Sequence, residues 1–264
     1  MKKVKVFIDV YYYKAALSGI RTYISELTLA AEIHGSKNIE YIFSHDIDKL
    51  SNNQLFLNSK NQLIRWLFQF NYLIWKQLIL PVKLLWHKPD YLICPDYISP
   101  ILSFKTKKLT VIHDSLFWDY PKNYSSIWRK YFLTLINLGI DNKTQVITTS
   151  NYSKKNLLKV INKTTLIDYV YQSFENISIP KSNFESKLQL PESYILHIGS
   201  FEKRKDLITL VKAFHVIKKQ ESNTKIKLVL AGAQVVNGNK KIIKQINRYI
   251  LNNDLENEIL LPNY

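Results

Sequence analysis

The residues that could carry chemistry gather at turns between apolar runs and helix-like stretches. Gly199-Ser200-Phe201-Glu202-Lys203-Arg204-Lys205-Asp206 joins a strand-like run to a helical one. Such a turn aims backbone N–H groups and the positive end of a helix dipole at an anion. Arg204 and Lys205 add two cations at the same place. A guanidinium can chelate two phosphate oxygens, while an ammonium acts as a point charge. A departing diphosphate needs fixed positive charge of this kind where its negative charge develops. The other reading is a solvated, charged loop.

Further candidates sit at equivalent turns. Ser18-Gly19-Ile20-Arg21-Thr22-Tyr23 follows the first strand and opens the first helix, and Gly19 would let a phosphate or sugar approach the backbone closely. It is not a Gly-x-Gly-x-x-Gly fingerprint, so a nicotinamide cofactor has no support. His113 stands at the carboxyl end of the run Leu109–His113, where open parallel sheets bind ligands. It could donate a hydrogen bond to a sugar hydroxyl, and Asp114 beside it could cap a turn. Ser150 follows another strand; capping the next helix is its first role and substrate contact its second. Asp46 and Asp48 form an Asp-x-Asp pair, a short pattern that can hold a divalent cation. It would imply a one-domain, metal-dependent design, which the chain's organisation opposes. No metal site is expected.

The elements that position these residues alternate. Val4–Val10, Ile39–Ser44, Tyr91–Cys94, Leu109–His113, Gln145–Thr149 and Leu166–Tyr171 read as strands. Helical spacing covers Ile20–His34, Ser126–Leu138 and Tyr152–Ile161. Repeated β-α alternation predicts a parallel sheet covered on both faces. Residues 177–192, polar and carrying Pro180 and Pro191, read as a linker. Alternation resumes with strands Tyr194–Ile198, Ile226–Leu230 and Glu258–Leu261 and helices Leu207–Lys219 and Lys241–Leu251. The expected fold class is therefore α/β with two Rossmann-like domains: residues 1–176, the linker 177–192, and residues 193–264. Because a doubly wound domain is usually built from two βαβαβ halves, the C-terminal one is expected to be incomplete.

Composition narrows the partners. The chain has 264 residues, 46% hydrophobic and 22% charged, which argues against disorder or a fibre. Lys and Arg number 37 against 21 Asp and Glu, a formal charge of +16. Residues 1–176 hold 23 basic and 13 acidic side chains, and residues 177–264 hold 14 and 8. The excess is thus evenly spread, and without a nucleic-acid motif it favours nucleotides or anionic lipid head groups over nucleic acid. The single cysteine, Cys94, excludes an internal disulfide framework and fits a reducing compartment. The basic start runs straight into an apolar run that is broken by Asp9 and reads as a strand, unlike a secretion signal.

Residues 61–87 form the most apolar stretch. Gln62, Gln69, Lys76 and Lys83 recur every seven positions among Leu, Ile, Trp, Phe and Tyr. This predicts a helix with a narrow polar stripe, bent or ended near Pro81. The first reading is a core helix; the second is a surface that docks lipid or a lipid-linked substrate, with Trp66, Trp75 and Trp86 at the interface.

In order and spacing these segments resemble the retaining glycosyltransferases of the two-Rossmann-domain (GT-B) type, family 4, in their bacterial mannosyltransferase-like branch of surface-polysaccharide assembly. Ile8-Asp9, Ser18 to Tyr23, Trp75-Lys76-Gln77-Leu78-Ile79-Leu80-Pro81, Lys88-Pro89-Asp90, His113-Asp114, Ile147 to Ser150 and Tyr194 to Phe214 carry the likeness. The resemblance implies transfer of a hexose, mannose by the branch, from a nucleotide-diphosphate sugar to a glycan or lipid-linked acceptor, with retention, no metal and no further cofactor. It implies His113 as the catalytic-site histidine and Gly19, Arg204 and Lys205 as the grip on the donor diphosphate. Ser150, Ser200 and Asp114 become candidate substrate contacts. Arg21 stands where the family usually has a second glycine, and Ser200 where many members have arginine. The family's Glu-x7-Glu segment would fall beyond Tyr264, so the chain alone is expected to transfer no sugar. The implied location is cytoplasmic, peripheral to the inner face of the cell membrane.

Overall fold

The computed structural model describes residues 3–16, 19–51, 62–161, 164–173, 190–221, 223–232 and 240–262. The chain divides into two compact units, Met1–Ser178 and Ile179–Tyr264. Most of the expected linker 177–192 lies outside the described residues.

The first unit opens with β1 (Val4–Ile8), a 3-10 turn at Tyr11–Lys14, α1 (Gly19–Ile33), β2 (Ile39–Phe43) and α2 (Ile47–Ser51). One long helical run follows: α3 (Gln62–Ile74), a π turn (Trp75–Ile79) and α4 (Leu80–His87). Then come β3 (Tyr91–Cys94), β4 (Lys107–Val111), α5 (Leu116–Asp119), α6 (Ser126–Gly139), β5 (Thr144–Thr148), α7 (Asn151–Val160) and β6 (Leu166–Tyr169). The strands form one sheet in the order β2-β1-β3-β4-β5-β6, and every pairing is parallel. A parallel sheet needs cover on both faces. Phe7, Leu92 and Cys94 accordingly pack with Trp75, Leu80 and Leu84 of the helical run. Val6 and Ile8 pack with Ile24 of α1.

Strand β4 begins two residues earlier than its apolar pattern indicates, because Lys108 is buried inside it. Its ammonium donates to the carbonyls of Gly139, at 2.7 Å, and Pro100, at 3.1 Å, and lies 3.1 Å from Asp141. A buried charge is tolerated only with such partners, and no periodicity reveals them in advance. His113 consequently lies just beyond the strand, in the loop at its carboxyl end.

The helical run departs furthest from expectation. Its polar position Lys76 is wholly buried, whereas Leu63, Trp66, Leu67 and Phe70, and then Leu78, Val82, Leu85 and Trp86, are exposed. The favoured reading as a core helix is therefore corrected: aromatic residues Phe68, Tyr72 and Trp75 face inward with Lys76, and much of the aliphatic surface faces out.

The second unit contains β7 (Tyr194–Ile198), a 3-10 turn at Lys203–Lys205, α8 (Leu207–Gln220), β8 (Lys227–Ala231), α9 (Lys240–Leu251) and β9 (Ile259–Leu260). Its parallel strands run β7-β8-β9. Phe201, Leu207, Val211 and Phe214 pack with Leu228, Leu230, Ile246 and Ile250. Gly232 is required at the end of β8: at φ +146°, an added Cβ would lie 2.0 Å from the carbonyl oxygen of Gly199. That close pass brings the loops after β7 and β8 together.

Candidate functional site

In the first unit the strand order reverses direction between β1 and β3, the switch point beside which open α/β sheets bind ligands. Asp9 follows β1 and Asp96 follows β3, and both are buried. Lys76 lies between them, 2.6 Å from Asp9 Oδ2 and 2.7 Å from Asp96 Oδ1. Trp75 Nε1 and the Tyr11 backbone N–H donate to Asp9 Oδ1, and the Tyr72 hydroxyl donates to Asp96 Oδ2. Burial pushes the Asp9 carboxyl up, but Lys76 and the donated hydrogen bonds outweigh it and hold the group below its ordinary value. For Asp96 burial wins, carrying it to about 6 despite Lys76. Burial alone would pull the Lys76 ammonium down; the two aspartates hold it above its usual range. Sequence reasoning missed this network. Its one signal is Lys76 on the seven-residue polar stripe, which carries no hint of the two aspartates that meet it.

The network underlies the loop that holds His113. His113 Nε2 lies 2.8 Å from the carbonyl oxygen of Pro95, next to Asp96. A carbonyl only accepts, so Nε2 carries the proton and Nδ1 is the acceptor of the neutral ring. Burial holds this histidine below its usual pKa, which keeps it neutral at pH 7. The expected donation from His113 to a sugar hydroxyl is thus reversed in direction: Nδ1 can accept from a hydroxyl. Tyr23 packs edge-on against the ring at 4.9 Å. Thr149 Oγ1 donates to the His113 carbonyl at 3.0 Å. Asp114 Oδ1 accepts from Leu116 N–H and so caps the turn into α5.

Ser150 is the N-cap of α7, its Oγ accepting from Ser153 N–H at 3.1 Å. Asp46 accepts from the N–H groups of Asp48 and Lys49 and caps α2 in the same way. Among the described residues no group of three or more His, Cys, Asp or Glu could hold a metal. Gly19 is the first residue of α1 and is exposed. A Cβ there would meet nothing within 4 Å, so packing within the protein does not demand glycine. Arg21 folds back over Tyr13, its guanidinium carbon 4.2 Å from the ring centroid and Nη1 3.3 Å from the Tyr13 carbonyl. Gly19→Ala is expected to leave the melting temperature unchanged or slightly raised. Thermal unfolding checks this; a clearly lowered melting temperature would show that packing does demand the glycine.

In the second unit the Gly199–Asp206 turn does connect β7 to α8. Gly199 N–H donates to the Ala231 carbonyl. Ser200 Oγ donates to Glu202 Oε1 and Arg204 Nε to Glu202 Oε2, each at 2.6 Å. Burial would raise the Glu202 carboxyl, but these two bonds hold it below its ordinary value. Arg204 is therefore not a bare cation as expected: it is paired through Nε, and its two terminal amino groups remain the bidentate end of the fork. Lys205 is exposed on the adjoining 3-10 turn. His197, which the sequence reading passed over, has a buried Nε2 with no hydrogen-bond partner. That atom would lie 3.3 Å from a Cβ on Gly199, so an acceptor group entering the turn would find it.

Comparison with known proteins follows the same lines. Residues 178–261 match the family described as Glycosyl transferases group 1. No curated protein matches the chain. Among solved structures, sucrose-phosphate synthase from Thermosynechococcus elongatus aligns with a TM-score of 0.63 at 17% identity, over 99% of this chain and 70% of that one. HepE of Anabaena, in complex with UDP-glucose, aligns at 0.54 and 14%, over 98% and 69%. A glycosyltransferase from Rickettsia africae aligns at 0.50 and 16%, over 100% and 69%. The chain has the two-Rossmann-domain GT-B fold, and its second unit is similar to the glycosyl transferases group 1 family.

Proposed function

We propose that the protein serves transfer of a hexose, mannose by resemblance, from a nucleotide-diphosphate sugar to a glycan or lipid-linked acceptor in cell-surface polysaccharide synthesis, with retention of configuration. The first unit takes the acceptor side and the second the nucleotide sugar. The carrying observation is the β7–α8 turn, where Arg204 keeps its terminal nitrogens available, Lys205 is exposed and the helix begins. Both cations, with the α8 N-terminus, would stabilise the diphosphate as the sugar leaves. The acceptor hydroxyl attacks from the same face, and neutral His113 accepts a hydroxyl hydrogen bond through Nδ1. Ser200 and Asp114 act by holding Glu202 and the His113 loop rather than by direct contact. The protein works in the cytoplasm, in peripheral contact with the anionic inner face of the membrane.

A second reading is a non-catalytic homologue that binds acceptor or membrane surface; the outward apolar face of the α3–α4 run favours it. Incubation with radiolabelled GDP-mannose or UDP-glucose and a bacterial lipid extract separates the two. Transfer with retained anomeric configuration supports the first. Donor binding without transfer keeps the donor site and matches the expectation that the chain alone transfers no sugar. Absence of donor binding contradicts the proposed donor site.

A further inference from the structure

We infer that α4 and the loop after β3, together with the groove between them at the amino-terminal edge of the first sheet, form a docking surface for an anionic lipid bilayer. The inference rests on the membrane contact proposed above and gives it an address; it does not require sugar transfer. Leu78, Val82, Leu85 and Trp86 fall at i, i+4, i+7 and i+8 and are 62%, 61%, 49% and 83% exposed. Residues at this spacing share one helix face. The loop extends that face: Leu102 and Phe104 are exposed, and Ile101 N–H donates to Gln77 Oε1 at 3.0 Å, tying loop to helix. No helix among the described residues is long and apolar enough to cross a membrane, so this surface would lie on a bilayer, not in it.

Charge selects the occupant. Leu85 and Phe104 line an open groove of about 870 Å³ together with Lys3, Lys88, Lys105 and Lys107. Its carboxylate, Asp90, accepts the backbone N–H of Lys5 at 2.8 Å. Four ammonium groups beside an apolar ridge ending in an exposed tryptophan suit lipid phosphates above acyl chains. A second copy would bring two lysine-lined grooves together, and like charges across an interface oppose association. The groove adjoins Val4, Tyr91 and Lys107, where β1, β3 and β4 begin. Asp9 and His113 lie at the opposite, carboxyl ends of the strands, so docking leaves that face uncovered.

The test is co-sedimentation of the full chain with phosphatidylcholine vesicles, with and without phosphatidylglycerol, and UDP titration of every variant. The chain should bind the phosphatidylglycerol vesicles, and high salt should release it. Lys88→Glu/Lys105→Glu/Lys107→Glu should weaken partitioning about a hundredfold, and Val82→Ser/Trp86→Ser at least about tenfold. All these residues are exposed, and UDP affinity should not change in either variant. Equal binding to both vesicle types, binding by the variants as strong as wild type, or no vesicle binding overturns the inference. So does a concentration-dependent dimer in light scattering that Val82→Ser/Trp86→Ser abolishes. Loss of UDP binding by the wild-type chain would instead strike the proposed function.

Discussion

Lys76→Met is expected to cost about 3–5 kcal/mol of folding free energy, the range for stripping one partner from a buried ion pair. Methionine fills much of the same volume, so the loss is electrostatic. It strands Asp9 and Asp96, both buried, without their shared counter-ion. The pH dependence follows from the same geometry. Without Lys76, the attraction that opposes burial is lost and both carboxyls move up from where the ammonium holds them, although Trp75, Tyr11 and Tyr72 still donate to them. A carboxyl raised in this way favours the folded state at low pH and loses that contribution as pH rises through the folded pKa. The deficit of the variant should therefore narrow on acidification from pH 7 toward pH 4. Asp9→Asn/Lys76→Met/Asp96→Asn, which removes all three charges, should recover much of the loss, since an uncharged substitute for a buried network can be near neutral. Urea unfolding of the three proteins across that pH range measures both effects. An exposed lysine with water-screened partners would give less than about 1 kcal/mol and no pH trend.

Arg204→Ala/Lys205→Ala is expected to weaken UDP binding by about a hundredfold or more. A hydrogen bond to a charged group contributes on the order of 1.5–3 kcal/mol, and a guanidinium fork makes two at once. The Glu202 pairing leaves the fork's outer edge available, because it engages Nε. Arg204→Lys should therefore be a poor substitute: it keeps the charge and loses both the fork and the Glu202-held orientation. Neither residue is in the packed core of the second unit, so thermal unfolding should be little changed.

Most of the frame was legible because period-2 and period-3.6 patterns report burial directly. Strands β3 and β7 lie where their β-rich runs place them, and α6, α7 and α8 end within about a residue or two of their patterns. Where polar groups are buried, pattern fails, since what makes burial tolerable is a partner distant in sequence. Lys76 meets Asp9 and Asp96 across 67 and 20 positions, and Lys108 meets the Gly139 carbonyl across 31. The same limit applies to the α3–α4 run: its apolar excess reads as a core helix, yet Lys76 is buried with its counter-ions while Leu78, Val82, Leu85 and Trp86 face out. In the candidate site, turns and residue types were readable, as Gly199 to Lys205 shows. Pairings were not: Glu202 on Arg204 and Pro95 on His113 depend on rotamers and loop paths that spacing does not encode.

The central claim is that the turn from β7 into α8 recognises the diphosphate of a nucleotide donor. Calorimetric titration of the purified chain with UDP tests it most directly, alongside Arg204→Ala/Lys205→Ala. The account predicts measurable binding by the wild-type chain and its loss in the variant, with both proteins melting alike. Equal UDP affinity in the two proteins, or none in either, would contradict it.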